Sequence, residues 1–145
     1  MNVGIVDASA INKQGTAATS PTTKVDMFPA LVDTGAQKTT ISTDVVNKVG
    51  LKPIGKSLVT GIEGNQEYYN SYIFHITFTM ELPVDAASAT QPGAQKQVVA
   101  YILQPPINGA ELPLHEGGFD VLLGMDVICT GSLIVEGNGH YSFSF

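Results

Sequence analysis

Alternation of apolar and polar residues, the two-residue period of strands, dominates this chain. In the segment Gln66 to Phe78, the residues Tyr72, Phe74, Ile76 and Phe78 take alternate positions, so one face of an extended segment is apolar. Leu58-Val59-Thr60 precedes it across the glycine-bearing turn Gly61-Ile62-Glu63-Gly64-Asn65, and the two arms read as a long hairpin. A short strand opens the chain, and the runs Met27 to Val32, Val98 to Leu103 and Phe119 to Leu123 have the length and content of buried strands. Thr39-Thr40-Ile41 extends again, and the tail offers two more strands, Ser132 to Val135 and His140 to Phe145, around Gly137-Asn138-Gly139.

Helical signals are few. Ser42 to Gly50 carries a complete set: Ser42 or Thr43 to cap, Asp44 for the positive end, Lys48 for the negative end and Gly50 to stop it. A second short helix is predicted over Val127 to Thr130, with Asp126 as its cap. The small and polar stretch 8–23, the Ala, Ser, Gln and Pro-rich stretch Pro83 to Gln97, and Gln104 to Gly118 read as loops. Ordered structure resumes near Val25. The chain therefore divides into an N-terminal strand and flexible loop, 1–24, and a body, 25–145, within what is overall a single domain.

Composition agrees with this pattern. At 145 residues the chain fits one core. Fifteen glycines, eight prolines and only 14% charged residues favour short strands and many turns, a mostly β fold. A formal net charge of −6, with seven scattered basic residues, argues against a nucleic-acid partner. Cys129 is the single cysteine and excludes an intrachain disulfide, while His75, His115 and His140 lack the close spacing of a zinc site. No metal or other cofactor is expected. The start has neither the basic nor the apolar region of a signal peptide, and no run of about 20 apolar residues could span a membrane. A cytoplasmic location fits, and a domain cut from a longer precursor would read the same way.

The chemistry concentrates at Asp33. Apolar residues lead from Met27 to Val32 directly into it, and Gly35 two residues later permits the positive φ that a sharp exit from a strand uses. Peptide hydrolysis without metal or covalent intermediate can be carried out by two carboxyls that share a proton, one acting on water and the other on the carbonyl oxygen. Each acid needs a rigid, exposed turn with a hydroxyl and backbone N–H groups to fix its oxygens, and Asp33-Thr34-Gly35 supplies those parts. The tripeptide alone also fits an ordinary Asx-turn at a strand end.

Leu31-Val32-Asp33-Thr34-Gly35-Ala36 resembles the active-site signature of the retropepsins, the retroviral-type aspartic proteases. In the same order, Gly61-Ile62-Glu63-Gly64 stands where that family has its flap. Val121-Leu122-Leu123-Gly124 is similar to its apolar segment before a short helix. The resemblance covers most of the chain from Val25 onward. It implies a mostly β, closed barrel-like acid protease fold with one or two short helices, and an aspartic endopeptidase acting on peptide or protein substrates. There is no second Asp-Thr-Gly or Asp-Ser-Gly in the sequence. The resemblance therefore implies a homodimer whose two-fold axis pairs Asp33 with its own copy. It assigns Thr34 to a hydrogen bond across the dimer, Gly35 to close passage of the substrate backbone, Ala36 to support of the turn, and Val121 and Leu122 to an apolar pocket.

The sequence also departs from the viral pattern. Gln37 and Met125 replace an Asp and an Arg that form a bracing ion pair there, and a loss of both partners is compatible with a stable fold because no charge is stranded. Two other functions stay open at this stage: a catalytically silent dimerisation or peptide-binding module of the same fold, and a monomeric ligand-binding β domain with Asp33 in a structural turn.

Overall fold

A computed structural model of the chain describes residues 1–11, 25–61, 63–83, 96–113 and 117–144, of which 80–83 and 96–98 are described for the backbone alone. β1 (Asn2–Asp7) runs into a single 3-10 turn, and β2 (Met27–Val32) leads to the Asp33 loop. β3 (Thr40–Ile41), helix α1 (Thr43–Val49) and β4 (Gly55–Thr60) precede the long β5 (Gln66–Pro83). β6 (Lys96–Ile102), β7 (Ile107–Glu111), β8 (Val121–Leu123), helix α2 (Met125–Ile128), β9 (Ser132–Val135) and β10 (Tyr141–Ser144) complete the order.

Six of these strands close on themselves. β1 pairs antiparallel with β2, β2 parallel with β8, β8 antiparallel with β3, β3 parallel with β7, β7 antiparallel with β5, and β5 returns antiparallel to β1. The mostly β, closed barrel, with two short helices among the described residues, is thus the retropepsin-like fold. Closure leaves no free edge on the ring, which removes the hazard of exposed strand edges. Outside it, β4 and β6 each pair with β5, and β9 and β10 form a separate two-stranded sheet.

Alternation fills the barrel. Val3 and Ile5 from β1, Phe28 from β2, Phe74 and Ile76 from β5, and Val121 and Leu123 from β8 are all buried in one cluster. Each such side chain contributes on the order of 2 kcal/mol by leaving water. Tyr72, Phe74, Ile76 and Phe78 do share the inner face, as their spacing predicts. α1 lays Val45 and Val46 on the same core; the Ser42 side chain accepts from the Val45 N–H, and Gly50 closes the helix at φ 76°.

Three local expectations give way to tertiary contacts. The stretch Gln104 to Gly118 holds a strand, β7, although Asn108 and Gly109 are poor strand formers. Its place between β3 and β5 supplies the ladder, and Gly109 suits it because a Cβ there would lie 2.7 Å from the Phe74 ring and 2.9 Å from the Thr39 carbonyl oxygen. α2 begins at Met125 with Gly124 as its cap residue, so Asp126 lies inside the first turn and does not cap it. β5 continues to Pro83, beyond the predicted end at Phe78. The bulk of both predicted loops, 12–24 and 84–95, together with Ile62 and His115, lies outside the described residues.

Candidate active site

Asp33 follows the last residue of β2, at the point where the parallel partner β8 also ends. Its backbone N–H donates to the Leu123 carbonyl at 3.0 Å, which ties the turn to the barrel wall. The carboxylate Oδ1 accepts from the Gly35 N–H at 2.8 Å, and Ala36 N–H donates to the Asp33 carbonyl at 3.3 Å. Asp33 and Ala36 are half-buried, while Thr34 and Gly35 are exposed. One oxygen of the acid is thereby fixed by a charge-assisted bond on a partly open turn.

Gly35 serves this turn differently from its sequence expectation. The glycines with positive φ among the described residues are Gly50, Gly64, Gly118 and Gly139, so Gly35 is not left-handed. What its missing side chain provides is space: a Cβ would sit 3.1 Å from Asp33 Oδ1, against the hydrogen-bonded oxygen.

The turn is braced from behind by α2. Met125 N–H donates to the Ala36 carbonyl at 2.8 Å and Asp126 N–H to the Gln37 carbonyl at 3.3 Å. Asp126 then reaches Thr39, whose N–H lies 3.0 Å from both carboxylate oxygens and whose hydroxyl donates at 2.7 Å. Thr39 Oγ1 in turn accepts from the Gly124 N–H at 3.1 Å. Thr39 is fully buried, so this chain of bonds satisfies donors that water does not reach. Gly124 has to be glycine, since a Cβ would meet the Lys38 carbonyl carbon at 2.5 Å and its oxygen at 2.7 Å. Asp126 and Thr39 thus hold the two segments together where Gln37 and Met125 lack an ion pair.

The remaining sequence candidates separate by burial. Val121 is fully buried in the barrel core. Leu122, on the other face of β8 and level with Leu31, is half-buried. Asp120 accepts from the Ser42 hydroxyl at 3.1 Å, which fastens the approach to β8 onto the start of α1. His75 is buried with Nδ1 3.0 Å from the Leu103 carbonyl, and His140 lies exposed in the last turn.

The β4–β5 hairpin pairs from Gly55↔Ser71 to Thr60↔Gln66, and the turn is closed by Gly61 N–H to the Asn65 carbonyl and Gly64 N–H to the Gly61 carbonyl, both 2.9 Å. Gly61, Glu63 and Gly64 are all exposed. At the root the Ser57 and Ser71 hydroxyls meet at 2.6 Å. Glu111 accepts there from Tyr72 at 2.7 Å, Thr43 at 2.8 Å and Asn70 at 3.4 Å. Desolvation pushes the Glu111 carboxyl up, but the three hydrogen bonds outweigh it and leave it below the usual carboxylate value. Burial and the same bond hold the Tyr72 phenol above its ordinary value.

A groove with a volume of about 360 Å³ runs beside the Asp33 turn, between β2 and the β9–β10 hairpin. Leu31, Val32 and Thr34 form one wall, and Leu133, Val135 and Tyr141 the other. Among the described residues no three His, Cys, Asp or Glu side chains group as a metal site, and no helix is long and apolar enough to cross a membrane.

A barrel of this topology with an Asp-Thr-Gly turn at the end of β2 defines the acid protease class. A family model described as aspartyl protease matches residues 23–127. The chain belongs to that family, and within it to the retropepsin-like aspartic proteases. No curated protein matches the chain.

Proposed function

We propose that the protein is an aspartic endopeptidase whose active site forms when two copies pair about a two-fold axis, each contributing Asp33. The observation that carries this reading is the Asp33 turn: an acid on a strand end, one oxygen held by the Gly35 N–H and the other left for a reacting group. One subunit holds a single such turn, so hydrolysis by a carboxyl pair requires a second.

Two carboxyls about 3 Å apart hold one proton between them, the general behaviour of aspartic protease dyads. The ionised member takes a proton from water as that water attacks the peptide carbonyl, and the protonated member donates to the carbonyl oxygen. The tetrahedral intermediate collapses with proton transfer to the leaving amine, which restores the shared proton. Thr34 keeps the two turns in register across the axis, Gly35 and Ala36 shape the turn, and Leu122 presents apolar surface to substrate.

The β4–β5 hairpin acts as the flap. The segment Gly61-Ile62-Glu63-Gly64 of the sequence closes over a bound peptide, while the bonds at Ser57, Ser71 and Glu111 anchor the root. The test is cleavage of a mixed peptide library from acidic to neutral pH by wild type and Asp33→Asn, with the association state followed by sedimentation. Cleavage by wild type alone, inhibited by a statine-type transition-state analogue, supports the reading. Equal cleavage by both proteins, or a strict monomer that cleaves, overturns it.

A further inference from the structure

We infer that the turn of the β9–β10 hairpin is a self-modifying site: Asn138, with water as the co-reactant, converts to aspartate and isoaspartate, and the conversion loosens the wall of the groove beside the Asp33 turn. This inference goes beyond the protease reading above and does not rest on it.

The sequence holds two Asn-Gly pairs, Asn108-Gly109 and Asn138-Gly139. Such a pair has a chemistry of its own, because glycine puts no side chain in the way of its backbone nitrogen. That nitrogen gives up its proton and attacks Cγ, the carbonyl carbon of the Asn side chain. A bond forms from the nitrogen to Cγ, the bond from Cγ to the side-chain nitrogen breaks, and ammonia leaves with the proton. The product is a cyclic imide, and water then adds to one of its two carbonyls. Opening at Cγ leaves an aspartate. Opening at the backbone carbonyl leaves an isoaspartate, with the main chain running through the former side chain. One water enters, one ammonia leaves, and nothing is oxidised or reduced.

The two pairs meet this chemistry in opposite surroundings. Asn108 and Gly109 lie within β7, paired with Ile73 and Tyr72 of β5. Gly109 is buried, and a Cβ there would lie 2.7 Å from the Phe74 ring and 2.9 Å from the Thr39 carbonyl oxygen, so neither residue can turn out of the ladder to close a ring. Asn138 and Gly139 lie between β9 and β10, both exposed, and no neighbour stands within 4 Å of a Cβ placed on Gly139. Two bonds hold the reacting atoms: the Gly139 N–H donates to the Glu136 carbonyl at 3.0 Å, and the His140 N–H donates to Asn138 Oδ1 at 2.9 Å. Both lie among exposed residues, at the end of a two-stranded sheet that pairs with no other strand among the described residues. Breaking them takes a local opening of the turn and leaves the barrel closed.

The same geometry gives the reaction a consequence. Asn138 Nδ2 donates to Glu136 Oε2 at 3.1 Å. Aspartate at position 138 replaces that donor with a second carboxylate oxygen, and two acids at hydrogen-bond distance repel each other. Isoaspartate adds a methylene to the main chain just ahead of Tyr141, whose cross-strand partner is Val135. Val135, Gly139 and Tyr141 line the groove together with Val32 and Thr34, the two neighbours of Asp33 in the chain. A change in the turn is thereby passed to the surface beside Asp33.

The experiment incubates the folded protein and the protein unfolded in guanidinium chloride side by side at neutral pH, and follows both Asn-Gly pairs by peptide mapping with mass spectrometry. Aspartate and isoaspartate peptides have one mass and separate by retention. Asn138 is expected to convert at least about tenfold faster than Asn108 in the folded protein, while in denaturant the two convert at rates within about threefold of each other. Asn138→Gln, which keeps the amide but would have to close a larger ring, should abolish the new species. The converted fraction, isolated by its added negative charge, should show faster amide hydrogen exchange over β9 and β10 than the unconverted one, with exchange in the barrel strands unchanged; Asn138→Asp, which adds the charge without the methylene, should reproduce part of that increase. Equal rates for Asn108 and Asn138 in the folded protein, or an Asn138 that persists there while the denatured chain converts, overturn the site. Hairpin exchange identical in the converted and unconverted fractions overturns its effect on the groove. None of these outcomes bears on whether Asp33 is catalytic, which the cleavage assay above decides separately.

Discussion

Removing the Asp126 carboxylate should destabilise the fold more than its half-buried position suggests. Asp126→Ala strands two donors on Thr39, the backbone N–H and the hydroxyl, in a residue that water does not reach. An unsatisfied buried donor costs about 1–3 kcal/mol, and the bonds lost here are charge-assisted, so a total near 3–4 kcal/mol is expected. For a chain of this size that corresponds to a melting temperature lower by roughly 10 °C. Asp126→Asn keeps one acceptor but turns an amide NH₂ towards a donor, and should cost about 1–2 kcal/mol. Thr39→Val removes the hydroxyl and leaves the Gly124 N–H unpartnered, so Thr39 and Asp126 should couple in a double-mutant cycle by about 1–2 kcal/mol. Urea denaturation of the two single variants and the double variant measures all of these. An Asp126→Ala protein within about 0.5 kcal/mol of wild type, or strictly additive effects, would refute the idea that this bridge holds the Asp33 turn against α2.

Gly124→Ala forces a Cβ onto the Lys38 carbonyl, where only backbone can yield, so a loss of about 3 kcal/mol or more, or failure to accumulate as folded protein, should appear in a thermal melt. Gly50→Ala meets no neighbour but must hold φ 76°, and should cost only about 1 kcal/mol in the same assay. Glu111, with its folded value lowered from 4.5, contributes stability that is fully present above that value and lost as pH falls through the lower folded-state value. Glu111→Gln should therefore flatten the acid limb of stability against pH, which urea midpoints measured on both sides of pH 4.5 will show; an unchanged acid limb would refute a stabilising role for the three hydrogen bonds to Glu111.

What could be read from the sequence was what neighbours in the chain decide. The run from Met27 to the Asp33 turn, the β4–β5 hairpin and the capped helix α1 each follow from a few consecutive residues. β7 escaped because Ile107–Glu111 becomes a strand only through pairing with Thr40–Ile41 and with Ser71–Phe74. Asp126 was legible as a helix-start acid, but its partner lies 87 residues away and nothing local points to it. Val121 and Leu122 look equivalent in the sequence, and which one faces the core depends on the register of β8 between β2 and β3. The groove is less legible still, because its walls come from opposite ends of the chain.

The central claim is that each active site contains two copies of Asp33, and mixing tests it most directly. Wild type is combined with increasing proportions of Asp33→Asn at fixed total concentration, allowed to exchange subunits, and assayed for peptide cleavage. The account predicts activity that falls as the square of the wild-type fraction, because mixed dimers carry only half a dyad. Activity strictly proportional to the amount of wild type present would contradict it.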